Sequence, residues 1–220
     1  MDRFDLGTHT RPITTASAQA QKYFNLGLNW CLGFNHEAGF QCFKKALEFD
    51  PNCAMAYWGI AYGAGPFYNL PWRQFGAAET VEVTEFCHRH IKRAQSLSAG
   101  CTRTEIALID ALAERFQKPE PVLPDEFDRW DDDYAAAMRA VYHRDVTDRD
   151  VAALFAEAMM TRTPWKLWNV KTGEPTKNAD TLEALKVCED GIAQCDRLNI
   201  QQHPAILALA YPYHRNVKHA

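Results

Sequence analysis

The chain has 220 residues, a formal net charge of −4 and a mean hydropathy of −0.38. Hydrophobic residues make up 47% and charged residues 24%, the proportions of an ordinary folded chain with a core to bury. Lys and Arg are dispersed among acids with no basic run, which excludes a nucleic-acid surface, because phosphate contacts need clustered cations.

Residues 1–17 read as an extended N-terminal segment. They contain no apolar stretch of the secretory kind, and no run anywhere reaches the roughly 18–20 apolar residues that cross a bilayer. The seven cysteines form no CxxC pair, which fits reduced, buried thiols and a cytoplasmic chain. A helical hairpin is predicted from Ala20 to Pro51. Its first arm carries Tyr23-x2-Leu26-Gly27-x2-Trp30, and its second carries Gly39-x3-Phe43-x2-Ala46-x4-Pro51. Small residues at 27 and 39 let two helices approach, and the bulky ones fill the surrounding space. Pro51 stops the second arm, since it has no N–H to donate. A helix follows near Cys53–Ala64, with Tyr57 and Ile60 in matching places, and Gly65-Pro66 ends it. After the aromatic loop Pro66–Trp72, a long helix is predicted over Ala77–Ser98. Thr102-x-x-Glu105 has the form of a capping box that opens the next helix. A connector at Pro119–Pro124 precedes a helix over Asp125–His143. Further helices are predicted over Asp148–Met160 and Asn178–Arg197, with the loop Pro164-Trp165-Lys166-Leu167-Trp168 between them. No period-2 strand pattern survives.

The Tyr23–Pro51 spacing resembles a tetratricopeptide repeat of roughly 34 residues, with its two helix-A aromatics exchanged and Gly in place of the usual Ala at 39. The expected fold is therefore all-α: a tetratricopeptide-like α-solenoid of about four antiparallel helical pairs plus a partial C-terminal helix. Its domain is expected to span residues 18–204, with a divergent tail at 205–220. The runs Gly27–Ala38 and Cys53–Gly59, with Gly65-Pro66, Pro164-Trp165-x2-Trp168 and His203-Pro204, resemble a family of bacterial and fungal tetratricopeptide-repeat proteins of unassigned activity. The resemblance implies a repeat scaffold and no particular reaction. It also implies further repeats and histidines after the His-Pro pair, so the tail is expected to be that of a shortened member. Pro212 breaks its helix, and the uncapped edge is expected to self-associate.

In such stacks helix A lines the concave face. Gln21, Phe24, Leu28, Cys31, Met55, Trp58 and Tyr62 are the expected binding residues, while Tyr23, Leu26, Gly27, Trp30, Gly39, Phe43, Ala46 and Pro51 are structural. Chaperone-tail binding would need Lys, Arg and Asn to satisfy a carboxylate, and this face offers Phe, Leu and Trp instead. The apolar face is expected to hold an unknown protein or peptide, an apolar helix or a small molecule, or else the chain's own Phe67, Tyr68, Trp72, Trp165 and Trp168 fold back and fill it, the reading preferred from sequence.

Chemistry-bearing residues have plainer explanations. His36-Glu37 opens a helix after the cap Asn35. His88 and His90, beside Cys87, point to different helix faces. Asp128, Asp131, Asp132 and Asp133 suit a helix N-terminus, and Asp145, Asp148 and Asp150 a turn and cap. Cys31, Cys42 and Cys53 are packing groups, and His203, His214 and His219 match no standard zinc spacing. No catalytic residue, metal site or cofactor is assigned, and no membrane or nucleic acid is expected as a partner. The expected function is protein–protein interaction through the apolar concave face. The alternative is an accessory protein or enzyme of fungal secondary metabolism that binds a small molecule or metal, which rests on family analogy.

Overall fold

The computed structural model describes residues 6–198 together with His203, Ile206 and Leu209. The described residues form eight α-helices: α1 (Ala18–Leu32), α2 (His36–Phe49), α3 (Ala54–Ala64), α4 (Ala77–Leu97), α5 (Arg103–Ala113), α6 (Pro124–Arg144), α7 (Arg149–Arg162) and α8 (Thr181–Leu198). No strand forms among them. Two isolated bridges, Phe67 to Leu70 and Trp168 to Pro175, close the aromatic loops. No described helix is long and apolar enough to cross a membrane. Of the expected tail at 205–220 only Ile206 and Leu209 are described; Pro212, His214, His219 and the expected self-associating edge lie outside the described residues.

Local chemistry sets the helix starts. The Ser17, Asn35 and Asp148 side chains accept from Ala20, Ala38 and Val151 N–H groups, satisfying donors that have no partner inside the helix. Thr102 and Glu105 make the reciprocal capping box. Pro124 is the first residue of α6 rather than the last of a connector. Its missing N–H costs nothing there, and its fixed φ suits the first turn. The last helix starts at Thr181, later than Asn178, because Asn178 has a φ of +71°.

The chain divides into two compact units. The first holds residues 1–66 and 75–130, and the second holds 67–74 and 131–220. The division falls inside α6. In the first unit α1 to α5 pack each against the next, and α1 also touches α3, as α3 touches α5. Phe43 stands at the centre of the first hairpin, fully buried and 5.4 Å from the Phe24 ring. A Cβ on Gly27 would lie 2.6 Å from Phe43 Cε1, and one on Gly59 would lie 2.5 Å from Phe43 Cδ1. Both glycines are there because the Phe43 ring occupies the space a side chain would need. The Ala usual at position 39 would not fit either, since its Cβ would meet Gly27 O at 2.8 Å and crowd Cys31 Sγ. Tyr23 stacks on Phe49 at 5.6 Å.

In the second unit α7 is buried from Asp150 to Thr161 without a break. A helix closed on every side has no amphipathic stripe. Charged pairs lie around it. Arg139 makes a two-pronged contact with Glu183, 2.8 Å on each arm, and Arg162 bridges Asp132 and Asp180. Asp132 therefore serves an ion pair well inside α6, and the first-turn acids are Asp125 and Glu126. The dipole effect fades after the first turn, so the expected dipole role passes to those two.

None of the seven cysteines forms a disulfide, and all but Cys101 are buried. Burial pushes the Cys53 thiol up to about 11 and Cys188 up to about 12, and raises Cys87 further.

Candidate functional site

Helix α1 carries two rows. Phe24, Leu28 and Cys31 are buried on one side. Beside them Gln21, Asn25 and Asn29 recur every four residues and are half-buried. The chain before α1 doubles back along this second row. From His9 to Ala16 exposure alternates, with 9, 11, 13 and 15 turned inward and 10, 12, 14 and 16 outward, the period of extended backbone.

The amide row reads that backbone directly. Asn29 Nδ2 donates to His9 O at 3.1 Å. Asn25 Oδ1 accepts from Arg11 N at 3.2 Å, and Gln21 Nε2 donates to Arg11 O at 2.9 Å. Gln21 Oε1 accepts from Ile13 N at 2.9 Å. Gln21 Nε2 also donates to Asn25 Oδ1, which ties neighbouring rungs together. The register has a geometric cause. Four helical residues advance about 6.0 Å, and two extended residues advance about 6.6 Å. A row of amides at i, i+4 and i+8 therefore meets alternate residues of a strand running the other way.

Two side-chain anchors finish the segment. Thr14 donates from N and from Oγ1 to the Glu105 carboxylate, at 2.6 Å each, and Thr15 Oγ1 donates to Asp50 Oδ2 at 2.6 Å. Burial works against the Glu105 charge, but the bonds from Thr14 and Thr102 outweigh it and hold the carboxyl below its usual range. Seven hydrogen bonds thus fix residues 9–15 to the helices. At a net value of about 1 kcal/mol each, they are of the same size as the ordering cost of the segment, about 1 kcal/mol per residue at the low end.

Of the seven residues expected to line a binding face, only Gln21 meets such a segment. Phe24, Leu28, Cys31, Met55, Trp58 and Tyr62 are at most 2% exposed. Trp58 stacks on Tyr62 at 5.1 Å and donates from Nε1 to Leu108 O at 3.1 Å, so it serves the contact between α3 and α5. Residues 67–74 belong to the second unit, where Tyr68 N donates to Glu157 Oε1 at 3.1 Å and the Tyr68 ring lies 6.3 Å from Trp165. Trp72 and Trp168 are buried, whereas Trp165 is 53% exposed. Asn25 and Asn29 were missed from sequence. The signal that reveals them is the four-residue spacing of three amides next to an extended segment.

The titratable clusters resolve separately. His88 Nδ1 sits 2.7 Å from Phe116 O, and His90 Nδ1 sits 2.7 Å from Phe86 O, so the two rings diverge. Asp145 accepts from Thr147, and Asp148 is the cap of α7. Asp150 is neither cap nor turn: buried, it pairs with His203 Nε2 at 3.0 Å. Glu157 is also buried, with Oε1 bonded to Tyr68 and Thr161 while Oε2 has no partner. A shallow cleft of about 420 Å³ lies along α8, lined by Tyr142, Val146, Glu183, Lys186 and Asp190.

Comparisons with protein-family models, with curated proteins and with solved structures return no match.

Proposed function

We propose that the protein is a tetratricopeptide-type scaffold for protein–protein interaction, with its partner-binding face on the helix-A side of the first two pairs. One observation supports this most: an extended polypeptide segment already lies there, held by the amide row of α1. The face divides the work. Its apolar members, Phe24, Leu28, Cys31, Met55, Trp58 and Tyr62, hold the helices together, and its polar edge does the recognising. The test is native mass spectrometry of the full chain after capture of binding proteins, with each candidate repurified and recombined. A polypeptide that re-forms a complex of fixed stoichiometry is the expected result. A bound small molecule or metal with no polypeptide partner would displace the reading.

That second outcome has its own support. The unpartnered, buried Glu157 Oε2 is costly unless something satisfies it. The reading it favours is an accessory protein that binds a small molecule or a cation beside α7. Loss of the bound mass in Glu157→Gln would mark that site.

A further inference from the structure

The row Gln21, Asn25 and Asn29 does more than pin a terminus. Every bond it makes to residues 9–13 goes to main chain, and none goes to a side chain of that segment. Arg11 offers both its N–H and its C=O to the row, as a residue does on one side of a β-ladder. Contacts of this kind accept any sequence that can lie extended. Side-chain selectivity enters at Thr14 and Thr15, whose hydroxyls reach Glu105 and Asp50, and at the inward-turned His9 and buried Arg11 places.

We propose that this row is a docking site for an extended segment of a partner protein, read through its main chain with a hydroxyl residue at the Thr14 place, and that residues 9–15 are the built-in occupant it displaces. The proposal rests on the scaffold reading and adds the class of ligand. A second copy of this chain is the poorer occupant. Thr15 Oγ1 accepts from Ser17 N, and Ser17 caps α1. Only Ala16 separates the last anchor from that cap, so exchange of the segment would press two α1 N-termini together.

The test uses the full chain and a fluorescent peptide of residues 7–16. In Thr14→Ala/Thr15→Ala the occupant loses its hydroxyl anchors, and hydrogen exchange at the Arg11 and Ile13 amides reports its release. The double variant should take up the peptide at least about ten-fold more tightly than wild type, because the competing intramolecular segment is weakened. Methylating the peptide nitrogens at the Arg11 and Ile13 places removes two donors and should cost about ten-fold or more. Asn25→Ala in the same background should cost a similar factor. A peptide that keeps His9, Arg11, Pro12, Thr14 and Thr15 in place and shuffles the rest should bind within about three-fold.

Four results would overturn the proposal. The amides open but no peptide binds. The methylated peptide binds as well as the plain one. The amides stay protected in the double variant, so the segment is a permanent strut. The variant instead forms dimers as concentration rises, which would assign the row to a second copy. A partner complex that forms while the peptide fails would leave the scaffold reading standing and move its docking face elsewhere.

Discussion

His36 shows how one residue couples packing to pH. It opens α2, is 5% exposed, and its ring lies 5.4 Å from that of Tyr62. Burial lowers its pKa from 6.5 to about 4. A hydrogen bond from the ring to the Tyr62 backbone carbonyl opposes the shift and the Arg115 charge adds to it. The folded state thus holds a neutral imidazole, whereas the unfolded chain takes up a proton below 6.5. Stability from this group is intact above that pH and is lost as pH falls from 6.5 towards 4. Urea unfolding of wild type and His36→Gln should give profiles that diverge across that window, with a slope approaching about 1.4 kcal/mol per pH unit. Parallel profiles would mean that the folded protein tolerates the charge. Glu105 has the same sign: its carboxyl is held below its usual range, so its contribution is present above the ordinary carboxylate range and is lost as pH falls through and below it.

At the scale of elements the first hairpin turns on one ring. Phe43 fills the space that Gly27 of α1 and Gly59 of α3 leave open. Gly27→Ala should cost about 1–3 kcal/mol, the range for overpacking a tight core. Combined with Phe43→Leu, much of that cost should disappear, which a double-mutant cycle on thermal or urea unfolding would measure. If the two costs simply add, the contact is looser than the distances say. This part of the fold was legible in sequence because its chemistry is local: a cap, a small residue, a bulky one, a proline. The Thr102–Glu105 box was legible for the same reason. The polar row of α1 was not. Gln21, Asn25 and Asn29 have ordinary helix-surface character until an extended segment lies beside them, and nothing in residues 9–15 announces where they will lie. The burial of the apolar residues of that face was hidden for a related reason. Trp58 and Tyr62 sit on α3, where nine of eleven residues are buried, so their rings are spent on contacts between helices.

The whole chain threads its two units three times, leaving the first after Pro66, re-entering at Phe75 and leaving again after Trp130. Sequence periodicity could not expose this. It reports which side of a helix is apolar, and the aromatic loop at Phe67–Gln74 carries no sign of which helices it will pack with. Asp150 is a second case: its place near the start of a helix suggested a cap, and its partner His203 comes 53 residues later. The buried thiols now acquire a use. Cys31, Cys42, Cys53 and Cys87 lie in the first unit, and Cys188 and Cys195 in the second. Under native conditions a maleimide should modify Cys101 first and the other six only after opening. Peptide mapping along a mild denaturant series would then date the loosening of each unit by its own sulfhydryls, and equal rates at all seven positions would contradict the burial. Nature has in effect wired the molecule with two separate sets of silent alarms, each tripped only when its own walls come apart.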